Sequence, residues 1–178
     1  MYGSKFNCAL LSVLWAVLLA GCGTAPPVDQ GANYYEQGSY DQAAAEWILL
    51  ANEGHYVAQH NMGLLSRDGL GSTPLSLEDA ATWYFKSAEQ GYVPAMVSLA
   101  EVLTTLEHET IAESWLVLAA RWGNTEAIEH LRQRDLPIPE VDLYTEQQQQ
   151  QALAKLRATG TLLRPPIRKI STRNDMEN

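Results

Sequence analysis

The chain has 178 residues, with 21 Asp and Glu against 12 Lys and Arg, which gives a formal net charge of −9 at pH 7. The two charge types are separated: residues 22–151 carry 5 basic and 19 acidic residues, a net charge of −14, and residues 152–178 carry 6 and 2, a net charge of +4. Because an acidic body repels phosphate groups and offers no basic face, this composition argues against nucleic-acid binding.

The first 21 residues have the pattern of a signal peptide. Lys5 gives a positively charged start, and an apolar run over residues 9–19, interrupted only by Ser12, follows it. This run falls short of the roughly 20 apolar residues that a membrane-spanning helix needs. We therefore predict that residues 1–21 are removed and take no part in the fold.

The apolar run ends in Leu19-Ala20-Gly21-Cys22, which resembles the lipobox of bacterial lipoproteins. The resemblance implies cleavage before Cys22, a diacylglycerol on its sulfur and an N-acyl chain such as palmitate, with no other cofactor. Such chains hold a protein on a membrane at about 0.8 kcal/mol per buried CH₂. Gly23 stands where an Asp commonly signals retention in the inner membrane, so the resemblance favours the outer membrane, facing the periplasm. The alternative is an ordinary secretory signal, which leaves Cys22 as a lone thiol in an oxidising compartment.

Residues 22–30 are expected to form a lipidated tether, because they contain Pro26 and Pro27 and show no apolar period. Since the other cysteine, Cys8, lies in the predicted signal peptide, the remaining chain has no internal disulfide and depends on apolar burial for its stability. A repeat domain is expected over residues 31–134, with residues 34–40 as an incomplete leading turn or half-repeat.

One register occurs three times in this domain, anchored on Gly54, Gly91 and Gly123 at spacings of 37 and 32 residues. Alanine stands three residues before and four after each glycine, and larger apolar residues stand seven before and eight after. In chain order these are Trp47, Ala51, Ala58 and Met62, then Tyr84, Ala88, Ala95 and Leu99, then Leu116, Ala120, Ala127 and Leu131. An apolar run, a glycine and a second apolar run predict a helical hairpin whose helices approach closely at the alanines.

Residues 81–95, with the sequence ATWYFKSAEQGYVPA, closely resemble the Sel-one-like repeat, a relative of the tetratricopeptide repeat. The loop Asp68-Gly69-Leu70-Gly71 and the segment Asn61-Met62-Gly63-Leu64 also fit that pattern. The third copy departs from it, because Arg132 stands where Gly63 and Ala100 stand in the others. The resemblance covers roughly residues 34–134 and implies a protein that binds other proteins.

The fold class predicted is all-α: a short α-solenoid of about three helical hairpins, followed by a C-terminal helix and a basic tail. Helix starts are expected at Ser76, which has capping-box spacing with Asp79, and at Pro94, which suits a first turn. The helices are expected near residues 41–53, 57–67, 76–90, 93–105, 109–122, 125–134 and 140–158. The C-terminal helix region spans residues 135–158, and the basic tail, residues 159–178, is expected to be disordered.

Neither a catalytic nor a metal-binding motif emerges from the sequence. His55 and His60 are five residues apart, off a single helical face, and the Gly69-Leu70-Gly71 segment lacks the strand and third glycine of a phosphate loop. Glu107, Glu109 and Glu113 flank His108, a pattern that a solvated helix start explains. We therefore expect a protein without enzymatic activity, catalytic residues or metal ligands.

A row of candidate partner-binding residues lies six and five positions before each glycine. Because a helix turns by about 100° per residue, these two positions point away from the helix face that the core positions share. These residues are Ile48 and Leu49, Phe85 and Lys86, and Val117 and Leu118. Five of the six are apolar where a solvent face would be polar. Either the row is buried against the neighbouring hairpin, or Leu49, Lys86 and Leu118 line an inner curve and hold a partner segment.

The function that the sequence favours is a membrane-anchored periplasmic scaffold or adaptor that binds an envelope protein through its helical repeats. One alternative is a binder of an anionic cell-wall polymer, peptidoglycan or lipopolysaccharide, through the basic tail. The basic residues of this C-terminal region, residues 152–178, are Lys155, Arg157, Arg164, Arg168, Lys169 and Arg173. A second alternative is a non-catalytic enzyme regulator.

Overall fold

The computed structural model describes residues 27–141 and 146–158, and every regular element in these ranges is an α-helix. The eight helices are α1 (Pro27–Glu36), α2 (Tyr40–Asn52), α3 (Tyr56–Asp68), α4 (Leu77–Ala88), α5 (Val93–Thr105), α6 (Glu109–Arg121), α7 (Thr125–Gln133) and α8 (Glu146–Ala158). The predicted signal peptide, Cys22 and the predicted basic tail of residues 159–178 lie outside the described residues. No helix in the described ranges is long and apolar enough to cross a membrane.

Each of the first six helices packs against the next one along the chain. Helices α2 and α3, α4 and α5, and α6 and α7 form three hairpins, and α1 precedes them as a single helix packed on α2. The predicted all-α stack of paired helices is therefore confirmed. The predicted bounds of the six hairpin helices agree with the observed ones to within two residues.

The three register glycines form the same turn between the helices of each hairpin. Gly54, Gly91 and Gly123 have φ angles of +98°, +95° and +81°, in the left-handed region that only glycine adopts without strain. In each turn the amide after the glycine donates to a carbonyl five residues earlier, at N···O distances of 2.9, 3.4 and 3.1 Å for His55, Tyr92 and Asn124. These bonds satisfy carbonyls that the helix end leaves unpaired, which is why the glycines recur.

The twelve apolar positions of the register make up much of the core, and each is at most 7% exposed. One cluster joins the first hairpin to Trp83 of α4, and a larger one runs through the second and third hairpins. Burial of each large side chain contributes about 1.5–3 kcal/mol, so the large residues that repeat contribute substantially to the stability of the stack.

Two helices of the stack begin at side-chain caps. Ser76 Oγ accepts a hydrogen bond from the Asp79 amide at 3.1 Å, as the sequence predicts, and Asn124 Oδ1 accepts one from the Ala127 amide at 2.8 Å. Pro94 lies in the first turn of α5, also as predicted. Each cap satisfies an amide that has no partner within the helix.

Helix α1 begins at Pro27, inside the stretch that the sequence analysis assigned to the tether. Proline at a first helical position is favourable because its missing N–H would be unpaired there in any case, so Pro27 starts the helix. Gly31 of α1 lies against the indole of Trp47, so closely that a Cβ at residue 31 would clash with Nε1. Close packing on α2 thus orders a segment that has no apolar period of its own.

Helix α8 is attached to the stack by one buried side chain. Leu153 is 0% exposed and belongs to the larger core cluster. The Gln150 side-chain amide donates to the Gln90 carbonyl at 2.7 Å. The helix was predicted over residues 140–158. Its described part starts at Glu146, and residues 140 and 141 are not helical. It lies beside the turn that contains Gly91.

Candidate functional site

The six candidate partner-binding residues do not share one environment. Leu49 on α2 is 67% exposed, whereas Ile48 beside it is half-buried and packs against the first core cluster. Val117 and Leu118 on α6 are half-buried and pack against the larger cluster. Leu49 is therefore the member of the row that is most accessible to a partner.

The middle pair of the row is built into the packing of the second hairpin. Phe85 is 4% exposed and its ring meets that of Trp115 edge to face, with the centroids 5.9 Å apart. Lys86 is half-buried, and its Nζ lies 4.1 Å from the centroid of the Trp83 ring. Because α4 is covered by both α3 and α5, a position outside the hairpin's own core face is still buried here.

A cavity of about 330 Å³, which we call the glutamine groove, lies between the turn of the second hairpin and α8. Its lining consists of Tyr56, Gln90, Gly91, Tyr92, Gln149 and Gln150. Tyr56 is 45% exposed, and its ring centroid lies 5.2 Å from that of Tyr92. The groove therefore combines aromatic faces with neutral amides, and none of its lining residues in the described part of the chain is charged.

A chain of side-chain hydrogen bonds fixes the floor of the glutamine groove. The Gln90 amide donates to Gln59 Oε1 at 2.7 Å and to the Lys86 carbonyl at 3.2 Å. Gln59 is buried and donates in turn to the Ala51 carbonyl at 3.0 Å. Ser87 Oγ donates to the Tyr56 carbonyl at 2.7 Å, which ties α4 to the start of α3. The first two hairpins thus hold Gln90, one of the groove's polar groups, in place.

Next to the groove lies a half-buried histidine, His60, to which the sequence pattern assigns no function. The His60 ring centroid is 5.4 Å from that of Tyr84 and 5.3 Å from that of Tyr92, and its Nε2 lies 3.4 Å from Ser98 Oγ. Burial lowers the pKa of His60 below its ordinary value of 6.5; a hydrogen bond with Asn61 opposes the shift, and the charge of Arg67 adds to it. The neutral ring is therefore the form that the folded protein favours.

A second group of polar side chains lies on the second helices of the second and third hairpins. Possible ligand atoms of Glu101 on α5 and of Glu126 and His130 on α7 all lie within 4.8 Å of one another. His130 Nε2 is 3.4 Å from Glu101 Oε1. Glu126 and His130 are four residues apart and therefore share a helical face. This spacing is visible in the sequence, although the spacing of His55 and His60 alone gives no sign of a metal site.

The contacts recorded for the acidic cluster around His108 join the ends of neighbouring helices. Glu109 accepts a hydrogen bond from Arg134 Nη1 at 3.2 Å, and Arg134 Nη2 donates to Thr104 Oγ1 at 2.8 Å. Glu107 adopts a φ of +63° in the link between α5 and α6. These contacts tie the ends of α5, α6 and α7 together.

Comparisons of the chain with family models, with curated proteins and with solved structures returned no match. Function therefore has to be argued from the surfaces described above.

Proposed function

We propose that the chain is a lipid-anchored envelope protein whose stacked hairpins bind an extended segment of a partner protein. The glutamine groove is the observation that carries this proposal. Its volume of about 330 Å³ falls in the range of about 300–1,000 Å³ that ligand pockets occupy. Its lining offers both donors and acceptors, which a peptide backbone needs, alongside tyrosine rings on which side chains can pack.

The absence of charge among the described lining residues favours a polypeptide over a charged small molecule. A phosphate or carboxylate ligand calls for Arg, Lys or clustered backbone amides, and the lining contains two tyrosines, three glutamines and a glycine. A glutamine side chain both donates and accepts hydrogen bonds, so it can pair with a peptide backbone that runs in either direction. Leu49 is exposed on α2, outside the groove. We propose that it is a second, apolar contact for a partner segment longer than the groove.

The sequence pattern supports the same proposal. Residues 34–134 resemble Sel-one-like repeats, whose members commonly act as adaptors in assembling complexes, and stacked hairpins offer an extended surface for such binding. We therefore propose a scaffold or adaptor role without catalysis.

Membrane attachment through Cys22 is the second part of the proposal, and it rests on Leu19-Ala20-Gly21-Cys22. A Cys22→Ser variant should no longer incorporate labelled fatty acid and should leave the membrane fraction. Gly23, which stands where an Asp commonly signals inner-membrane retention, supports placing the lipid-anchored chain at the outer membrane, facing the periplasm. Undiminished labelling of the variant would contradict the lipid anchor without affecting the binding proposal.

Site-specific crosslinking in intact cells tests the binding proposal. A photoreactive side chain at Tyr56 should capture a defined protein, whereas the same group at Glu129, which is exposed on α7, should not. Replacing Gln149 by Ala should weaken the capture from Tyr56, because it removes one wall of the groove. Equal capture from both positions, or capture that is indifferent to Gln149, would contradict a specific groove.

The separation of charge along the chain favours one other function, binding of an anionic envelope polymer. Residues 22–151 have a net charge of −14 and residues 152–178 one of +4. Sedimentation with purified peptidoglycan should then fall as salt rises, because screening weakens contacts between exposed charges. Salt-insensitive envelope association of the unlipidated chain would count against this alternative.

A further inference from the structure

We propose that Glu101, Glu126 and His130 form a binding site for a divalent transition-metal ion such as Zn²⁺. The site would link α5 of the second hairpin to α7 of the third. This inference is independent of the glutamine groove and of any partner.

The positions of the three side chains follow from the fold. Glu126 and His130 project from the same face of α7 because they are four residues apart, and Glu101 reaches them from α5. Bonds of about 2.0–2.2 Å to zinc place neighbouring ligand atoms roughly 3.3 Å apart in a tetrahedral site. His130 Nε2 and Glu101 Oε1 already lie 3.4 Å apart, and the whole ligand set lies within 4.8 Å. Small side-chain rotations of Glu126, which is exposed, would complete the geometry.

The charges around the site favour a cation. The nearby arginines of the third hairpin have other partners: Arg132 pairs with Glu129, and Arg134 pairs with Glu109. Among the ion pairs of the described residues, none involves Glu126. Arg67 of the first hairpin interacts only weakly with Glu101, because its guanidinium donates two hydrogen bonds to Asp68, the main cause of its raised pKa.

The ligand types select the class of metal. An imidazole nitrogen suits Zn²⁺, Ni²⁺ or Cu²⁺, whereas Ca²⁺ and Mg²⁺ favour sites made of oxygen ligands alone. Three protein ligands leave at least one coordination position open for water. The competing explanation of the same geometry is a simple contact between His130 and Glu101 that needs no metal.

Titration of the ¹⁵N-labelled full-length chain with Zn²⁺ tests the site by NMR. Saturable shifts should centre on the amides around residues 101 and 126–130. A Glu126→Gln variant should weaken binding by more than about tenfold, since the loss even of groups outside the ligand set costs about 10–100-fold. This variant should keep the wild-type helix content, because residue 126 is exposed.

Two matched variants serve as controls, Glu113→Gln and His108→Asn. Both change a half-buried residue of the same type outside the ligand set, so zinc affinity should remain as in the wild type. Zinc should also raise the melting temperature of the wild type and not that of Glu126→Gln. Failure to saturate up to about millimolar Zn²⁺, or equal affinity in the wild type and Glu126→Gln, would overturn the proposal and leave a simple contact between His130 and Glu101.

Discussion

The ring of Tyr84 packs directly on Gly63, so closely that a Cβ at residue 63 would lie 2.5 Å from Tyr84 Cε1. The contact joins the second helix of the first hairpin to the first helix of the second. Gly31 of α1 faces Trp47 of α2 in the same way. A small residue opposite a large ring therefore recurs between successive units, and α1 takes the place of a second helix in a half-repeat.

The first prediction is that Gly63→Ala destabilises the protein. Overpacking a close contact costs about 1–3 kcal/mol, whereas the higher helix propensity of alanine returns about 1 kcal/mol. We expect a net loss in the free energy of unfolding, measured by urea denaturation. A gain in stability would show that the ring of Tyr84 moves away at little cost.

A double-mutant cycle separates the two effects. In a Tyr84→Leu background the side chain opposite residue 63 lacks the aromatic ring, so Gly63→Ala should become neutral or stabilising. Equal effects of Gly63→Ala in both backgrounds would mean that the two residues are not coupled.

Much of this architecture follows from the sequence alone. The register on Gly54, Gly91 and Gly123 identifies the turns and the core positions, because only glycine suits the left-handed turn and only small residues suit the close helix contacts. Helix α1 is less predictable: Pro26 and Pro27 resemble a tether, and Gly31 has low helix propensity. Its order comes from contact with Trp47, which a local pattern does not reveal.

The candidate sites depend on contacts between distant segments. Glu126 and His130 share a helical face by spacing, but the approach of Glu101 follows from the stacking of hairpins. Gln149 and Gln150 belong to a run that resembles a solvated helical face. Their place in the groove is set by Leu153, which attaches α8 to the core.

The second prediction compares two leucines of the candidate row. Leu49→Ala should change the free energy of unfolding by less than about 0.5 kcal/mol, because the side chain is 67% exposed. Leu118→Ala should cost roughly 1–2 kcal/mol, because its side chain packs partly against the core. If Leu49 binds a partner, its variant should fold normally and lose capture. A strongly destabilised Leu49→Ala protein would instead place this residue in the packing.

The third prediction concerns pH. The pKa of His60 is lower in the folded protein than its ordinary value of 6.5, chiefly because of burial. As the pH falls below about 6.5, the unfolded chain therefore binds a proton that the folded chain resists, and the folded state loses stability until its own lower pKa is reached. Chemical denaturation at several pH values should show this fall in the wild type, and His60→Gln should reduce it.

His55→Gln is the matched control for the pH experiment. His55 is exposed and stacks on Tyr56 with ring centroids 5.6 Å apart, so its replacement should leave the fall at low pH in place. A fall of equal size in the His60→Gln variant would assign the effect to other groups.

The fourth prediction is that Leu153 holds α8 in position. Leu153→Ala should remove about 2–5 kcal/mol of stability from the packing of this helix and should abolish the protection of its amides against hydrogen exchange. Gln151→Ala, a change at an exposed position, should leave that protection unchanged. Protection of α8 that survives Leu153→Ala would show that other contacts hold the helix.

The packing of each of the first six helices on its successor makes most stabilising contacts short in sequence. Such low contact order limits the loop-closure entropy lost before contacts form, and helical proteins of this kind refold within about microseconds to milliseconds. The bond from Gln150 to Gln90 spans 60 residues and is an exception. We expect the stack to form first and α8 to dock on it afterwards, so that the glutamine groove is completed last during refolding.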